Sequence, residues 1–371
     1  MLPIASVLLL ALLAPPPTRR VASDPHFLAR KFKYKCDLCS IKLEKKKHLE
    51  EHERGKRHRL AVERADSIWQ RYRESSWYHP DAPRSAVVNA FSFNQFLDGL
   101  VRRTRMGGPP PLLEADGDGC LSPHVTLASL DASKRAMLFR YLDESCGATE
   151  YASVLLQLEA DHGSKYTRIK ELLESVEAYK LMRELVTKRP ESNDNGLPPQ
   201  ALGGIHDVAC GHGLAGLLLA AHYPEVPLVS SDLQRRESYD AHLAAWSAIG
   251  RPLSNAKFVQ GNFTELYHHQ RGGAERITPN SLVVCIHGCN EASRAAVDLA
   301  RGHGAGWMVV PCCMPNAYAP RVQSLRLDDE TRYALLCGAL AESHEASIVW
   351  SLPERVTPRS IVLADTCTKL G

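Results

Sequence analysis

At 371 residues, 44% hydrophobic and 23% charged, the chain has the composition of an ordinary globular protein with room for two or three compact units. Its 11 cysteines at irregular spacings exclude the disulfide framework of a small secreted domain. The net charge of +3 hides an asymmetry: residues 30–73 hold 15 Lys and Arg against 7 Asp and Glu, and the remainder holds 30 against 35. A basic module thus precedes an acidic body, and anion binding is expected of the former.

Residues 2–14, LPIASVLLLALLA, form an apolar run followed by Pro15, Pro16 and Pro17. The run is too short to span a bilayer comfortably, so no stable membrane insertion is expected. It has the length of a signal-peptide core but no basic residue ahead of it. The next stretch, TRRVASDPHFLARK, is basic with hydroxyl residues, in the manner of a transit peptide. Residues 1–24 are therefore read as a targeting segment for a two-step, plastid-like route into an organelle with a reducing interior. That compartment suits the cysteine usage; the nucleus or the cytoplasm is the alternative.

The segment YKCDLCSIKLEKKKHLEEHERGKRH carries Cys36, Cys39, His52 and His58 at the spacing C-x2-C-x12-H-x5-H. Two thiolates on a short knuckle and two imidazoles on one helix face can complete a tetrahedral zinc site. So short a segment cannot build a core, so the metal would supply its folding energy. Tyr34, Leu43 and Leu49 are the expected apolar filler. Lys45, Lys46, Lys47, Lys56, Arg57 and Arg59 cluster beside the site, as phosphate contacts would. The long H-x5-H gap closed by ERGKRH resembles the U1-type, matrin-like zinc finger, a resemblance that implies an RNA partner, often double-stranded. The helix is expected to continue past His58, with Ala61, Ala65, Ile68 and Tyr72 at helical spacing and Trp69 and Trp77 packing inward. The finger with its extended helix spans 28–75.

Residues 85–150 read as a helical intermediate region with two amphipathic stretches, 89–103 and 131–145. The DGDG between them is not a calcium loop, because Val125 falls where a bidentate Glu is required.

Residues 160–371 hold a helix, a polar Pro/Gly linker, and then seven apolar strand candidates: 205–209, 227–231, 256–260, 282–286, 307–311, 346–350 and 360–364. Helical stretches separate the first six, and a Pro-containing connection joins the last two. Five strands with crossovers and a closing hairpin predict an α/β, Rossmann-like, doubly wound seven-stranded sheet with an antiparallel edge. The first strand runs into HDVACGHGLAG, which contains a G-x-G-x-x-G of Gly211, Gly213 and Gly216. Asp207 lies inside that strand, four residues before Gly211, and Asp232 ends the second strand, 19 residues after Gly213.

The strand count resembles the class I, seven-stranded fold of S-adenosylmethionine-dependent methyltransferases. The run Asp207-x-Ala209-x-Gly211-x-Gly213 is similar to that family's D/E-x-G-x-G-x-G, with Ala209 in place of the first glycine. The resemblance implies a cofactor site of Asp207, Ala209, Cys210, Gly211, Gly213, Asp232 and Asn262. Asp207 would lie toward the amino acid moiety, Asp232 toward the ribose hydroxyls, and Asn262 by the adenine. Ligands in this architecture bind at the carboxyl ends of strands. That places His287, Cys289, Asn290, Pro311, Cys312 and Cys313 at the expected catalytic face. The pairing of H-x-C-x-x-A-[ST] with Pro-Cys-Cys resembles a methyltransferase group that includes the glutathione S-transferase C-terminal domain-containing protein and the eukaryotic tRNA ribose 2′-O-methylases. Asn290, Ser293 and Arg294 replace the Gly, Thr and Asp of the latter. His287 is the candidate proton acceptor. A covalent role for Cys312 after Pro311, and a zinc ion held by Cys289, Cys312 and Cys313 with His287, are the alternatives. The expected function is S-adenosylmethionine-dependent methylation of RNA recruited by the finger. The rivals are a methyltransferase acting on protein or a small molecule, and a non-catalytic RNA-binding protein with a degenerate methyltransferase fold.

Overall fold

The computed structural model describes residues 32–89, 96–97, 121–146, 149–187, 202–268, 276–289, 291–313, 322 and 325–366. The targeting segment and most of the helical stretch expected over 89–103 lie outside them. Contacts divide the chain into two compact units, Met1–Ser67 with Val88–Ala90, and Ile68–Val87 with Phe91–Gly371.

In the first unit, strand β1 (Tyr34–Cys36) pairs antiparallel with β2 (Ile41–Leu43), Cys36 lying opposite Ile41. Helix α1 (Lys46–Arg54) follows and ends at Gly55, whose extended backbone (φ −72°, ψ 150°) breaks the helix before α2 (Lys56–Glu74) begins. The expectation of both histidines on one helix face is therefore corrected, since His52 lies in α1 and His58 in α2. The reason is angular: six residues at about 100° each put two side chains roughly 120° apart on a continuous helix. The break is what allows the long H-x5-H gap to close on one point. Tyr34, Leu43 and Leu49 are half-buried.

The second unit is built on one seven-stranded sheet in the order β5-β4-β3-β6-β7-β9-β8. Its strands are β3 (Gly204–Val208), β4 (Leu228–Asp232), β5 (Ala256–Gln260), β6 (Ser281–Ile286), β7 (Gly306–Val310), β8 (Ile348–Ser351) and β9 (Ile361–Asp365). All seven fall within two residues of their expected positions. The first five are parallel, while β9 runs antiparallel to β7 and to β8. Central β3 and β7 are buried along their whole length and β6 nearly so; β6 and β7 accordingly read as apolar runs, while β3 carries the buried polar pair His206 and Asp207. Edge strand β8 alternates half-buried and exposed residues, as a strand with one wet face must.

Helices α6 (Ile169–Thr187), α7 (Leu214–His222), α8 (Glu237–Ala248), α9 (Phe263–His268), α10 (Ala292–Gly302) and α11 (Asp329–Ser343) flank the sheet in sequence. Helix α10 buries Ala296, Val297, Leu299 and Ala300, which join Val283, Trp307 and Leu363 in the core. After the short α3 (Arg84–Val88), two further helices, α4 (Ala132–Cys146) and α5 (Thr149–His162), pack on the same unit. Tyr141 Oη donates to Glu177 on α6 at 2.6 Å, and Arg135 pairs bidentately with Glu159. Trp77 donates its indole N–H to Ala152 O at 2.6 Å. No helix among the described residues is long and apolar enough to cross a membrane.

The chain winds outward from β3 in both directions, through β4 and β5 on one side and β6 and β7 on the other. The gap between β3 and β6 at their carboxyl ends is therefore the topological switch point, where this architecture opens a crevice.

Candidate cofactor cleft and metal-ligating clusters

A cleft of about 680 Å³ opens at that point. Its floor is the turn from β3 into α7. Ala209, Gly211 and Gly213 all adopt left-handed backbone, with φ of 52°, 59° and 69°. Three alternate residues with positive φ are the geometry that a run of alternate glycines makes easy, and Ala209 holds it despite its Cβ. A Cβ on Gly211 would meet nothing within 4 Å, so the backbone there faces open space. A Cβ on Gly213 would lie 2.5 Å from the Tyr239 ring, and one on Gly216 would lie 2.5 Å from Asp207 Oδ2. The glycines thus divide their tasks. Gly211 presents backbone to the cleft, and Gly216 lets the first turn of α7 close on a buried carboxyl.

That carboxyl, Asp207, is 2% exposed and accepts the Gly216 N–H. Burial, and then the neighbouring Asp232, push its pKa up to about 7. Asp232 ends β4; its Oδ2 accepts the Gly211 N–H at 2.9 Å, and its Oδ1 accepts that of Gln234 at 3.3 Å. Asp232 thereby holds the glycine loop while itself lining the cleft. Cys210 lines it too; burial raises its thiol pKa, so it stays protonated. Asn262 follows Gly261 after β5. Its Oδ1 accepts from Thr264 N–H and Oγ1–H at 3.2 and 2.9 Å, and its Nδ2 donates to Glu265 at 3.2 Å. The side chain caps α9 and lies in the cleft wall at once.

Of the residues expected at the ends of β6 and β7, His287 and Cys289 line the cleft. His287 has left-handed backbone (φ 54°), and its N–H donates to Val310 O. Its Nε2 is buried, has no hydrogen-bond partner among the described residues, and lies 3.8 Å from Glu174 Oε1. Burial, and then Lys170, lower the imidazole pKa to about 4, so the ring is neutral near pH 7. Pro311 and Cys312 do not line the cleft. The Pro311 carbonyl is turned to Tyr333 Oη at 2.8 Å, and the Cys312 thiol lies behind the His287 peptide, donating to its carbonyl at 3.3 Å. Burial and the adjacent thiols raise the Cys312 pKa, the opposite of what a nucleophile needs. Asn290 lies outside the described residues.

The cleft residues that escaped sequence reasoning include Glu174, His212, Leu233, Arg236 and Phe263. Glu174, on α6, has its carboxyl pushed up to about 7, chiefly by burial and against a hydrogen bond with Thr357. His212, inside the glycine loop, accepts the Leu214 N–H at 3.1 Å and is held neutral by burial, its pKa near 4. Leu233 follows Asp232 and is 68% exposed, an apolar surface on the cleft rim. Arg236 brings a cation to the same wall. Only Leu233 left a local signal, an apolar residue directly after a strand-end acid.

In the first unit the expected ligands converge. Cys36 Sγ and Cys39 Sγ lie 3.5 and 3.6 Å from His58 Nδ1, and His58 Nδ1 lies 3.3 Å from His52 Nε2. A tetrahedral zinc ion, with Zn–S about 2.3 Å and Zn–N about 2.0–2.1 Å, implies edges of about 3.5 Å between sulfur and nitrogen and about 3.3 Å between nitrogens. These three edges fit a zinc ion, and all four donor atoms lie within 4.8 Å of one another.

No family model matches the sequence, and no curated protein matches it. Solved structures do. A proposed O-methyltransferase from Nostoc punctiforme is 15% identical over 52% of this chain and 56% of its own, with a TM-score of 0.32. A methyltransferase from Podospora anserina is 13% identical over 58% of this chain and 87% of its own, at 0.32. A 16S rRNA (adenine(1408)-N(1))-methyltransferase from Catenulisporales acidiphilia is 16% identical over 44% of this chain and 83% of its own, at 0.30. Likenesses at this level add nothing to the topology read from the chain itself.

Proposed function

We propose that the protein is an S-adenosylmethionine-dependent methyltransferase acting on RNA that a zinc-bound finger recruits. The observation that best supports the reading is one conjunction. At the switch-point cleft, a loop of three alternate left-handed residues, the strand-end carboxylate of Asp232 and the exposed apolar side chain of Leu233 converge. A nucleoside with a cationic tail matches each part. Asp232 would accept the ribose hydroxyls. Leu233 and Phe263 would shield the base. Gly211 would let backbone approach the tail, and the acidic floor at Asp207 suits positive charge where a pyrophosphate would be repelled. When bound, S-adenosylmethionine supplies an electrophilic methyl group. The protein's share is to orient the acceptor in line and to receive its proton, for which the neutral His287 is placed at the end of β6. The finger contributes Cys36, Cys39, His52 and His58 as zinc ligands. Its six cations at residues 45–47, 56, 57 and 59 are all exposed, as sequence-tolerant phosphate contacts require.

The test is calorimetric titration of the full chain with S-adenosylmethionine, repeated with Asp232→Ala, followed by tritium transfer to total RNA. Micromolar affinity lost in the variant, with incorporated label that ribonuclease releases, is the expected result. A folded chain that does not bind the cofactor overturns the methyltransferase reading. Cofactor binding with protease-sensitive label overturns the RNA substrate alone.

A further inference from the structure

Outside the finger, the described residues hold one other cluster of metal-ligating side chains: Cys289, Cys312 and Cys313. Cys289 follows the end of β6, Cys312 and Cys313 follow the end of β7, and these two strands are parallel neighbours. Cys289 and Cys313 are paired across them by an isolated parallel bridge. The Sγ atoms of Cys289 and Cys312 lie 3.5 Å apart, those of Cys312 and Cys313 lie 3.7 Å apart, and all three fall within 4.8 Å of one another. Zn–S bonds of about 2.3 Å at tetrahedral angles set sulfur–sulfur edges of about 3.8 Å. We propose that these three thiols bind a second zinc ion, in the unit that holds the seven-stranded sheet and independent of the finger.

The chemistry favours a metal over packing. Cys289 and Cys313 are exposed, so bringing them together buries little apolar surface. The thiols' contacts with the His287 carbonyl, 3.3 Å from Cys312 and 3.8 Å from Cys289, are weak hydrogen bonds that do not account for three sulfurs at one point. Binding is a proton exchange with no redox step: three thiols release three protons, and three Zn–S bonds form. His287 does not complete the set, because its nitrogens lie outside the cluster and Nε2 is turned toward Glu174. Three protein ligands leave the fourth position to water or an exogenous donor, the arrangement of zinc sites that keep an open coordination position. The ion would tie the ends of β6 and β7 together directly beneath the left-handed His287. The proposal does not depend on the methyltransferase reading, since its test measures metal and not activity.

The test is zinc content of the full chain purified under reducing conditions, measured by native mass spectrometry. Two zinc ions per chain are expected, falling to one in Cys289→Ser/Cys312→Ser and separately to one in Cys36→Ser/Cys39→Ser. One zinc in the wild type, unchanged by Cys289→Ser/Cys312→Ser, overturns the proposal. So does a mass two hydrogens short with one zinc, which marks a disulfide. Should the serine variant not fold, alkylation mapped on the wild type decides. Cys289, Cys312 and Cys313 should resist iodoacetamide until a chelator is added; equal labelling with and without chelator overturns the site.

Discussion

Replacing Asp207 with Asn should change how the stability of the cofactor-free protein depends on pH. The carboxyl is buried, accepts from Gly216 in the first turn of α7, and is pushed by burial from an ordinary 3.8 up to about 7. An acid whose pKa is raised on folding keeps its proton in the native state after the unfolded chain has lost it. Its contribution is therefore fully present below the unfolded value, declines as pH rises between about 4 and 7, and is constant above. A shift of about three units amounts to ~4 kcal/mol across that window, and to roughly 2.5 kcal/mol between pH 5 and pH 8. Asn has nearly the same shape, can accept the Gly216 N–H through its carbonyl, and does not titrate. Wild type and Asp207→Asn would be compared by urea unfolding at pH 5 and pH 8, followed by fluorescence of the buried Trp246 and Trp307. The comparison cancels the other buried groups, including the histidines at 206, 212, 242 and 287, which are depressed to about 4 and act in the opposite direction. The variant should gain on the wild type by about 2.5 kcal/mol from pH 5 to pH 8. Because Asp232 supplies part of the shift, Asp232→Asn should shrink the effect. A stability difference that stays flat with pH would refute the reasoning, because the carboxyl would then already be ionised in the folded protein.

Two glycines of the loop should fail in different ways. Gly216→Ala drives a methyl group to 2.5 Å from Asp207 Oδ2 and should cost about 3 kcal/mol of stability, read by the same unfolding assay. Gly211→Ala meets no atom within 4 Å and should cost only about 1 kcal/mol for its left-handed backbone, while cofactor affinity falls tenfold or more. Equal stability losses in the two would contradict the division of tasks. Loss of the first zinc site in Cys36→Ser/Cys39→Ser should abolish amide protection across 34–58 and weaken RNA binding, leaving the S-adenosylmethionine titration unchanged. Retained protection would mean that the finger folds without metal.

The sheet was legible because central β6 and β7 are buried on both faces and carry apolar runs that need no context, while β3, with His206 and Asp207 inside it, was marked by the glycine-rich turn that follows. The finger's ligands were legible from spacing alone. The helix break between them was not read, because Gly55 stands in a Lys- and Glu-rich stretch that looks continuously helical. The angular mismatch of six residues was the available clue. Helix α5 was missed because half-buried Ser153, Leu156 and Gln157 flank its buried face, which blurs the amphipathic signal. Glu174 could not have been found, for α6 carries Glu171, Glu174 and Glu177 in one run. Only tertiary packing decides that the middle one faces the cleft while Glu177 bonds Tyr141.

The backbone supplies the remaining argument for where the site is. Four described non-glycine residues have positive φ, and two of them, Ala209 and His287, are the first residues to leave β3 and β6. These strands are adjacent, and the crevice opens between their ends. A left-handed alanine costs about 1 kcal/mol where a glycine would cost nothing, and the strain at His287 is of the same order. Strain on both sides of one gap, carried by residues that line it, has a geometric result. It turns the two chains apart as they leave the sheet, Ala209 into the glycine loop and His287 toward Glu174. A relaxed exit at either strand would carry the chain straight on past the sheet edge and close the space in which the proposed cofactor and acceptor must meet.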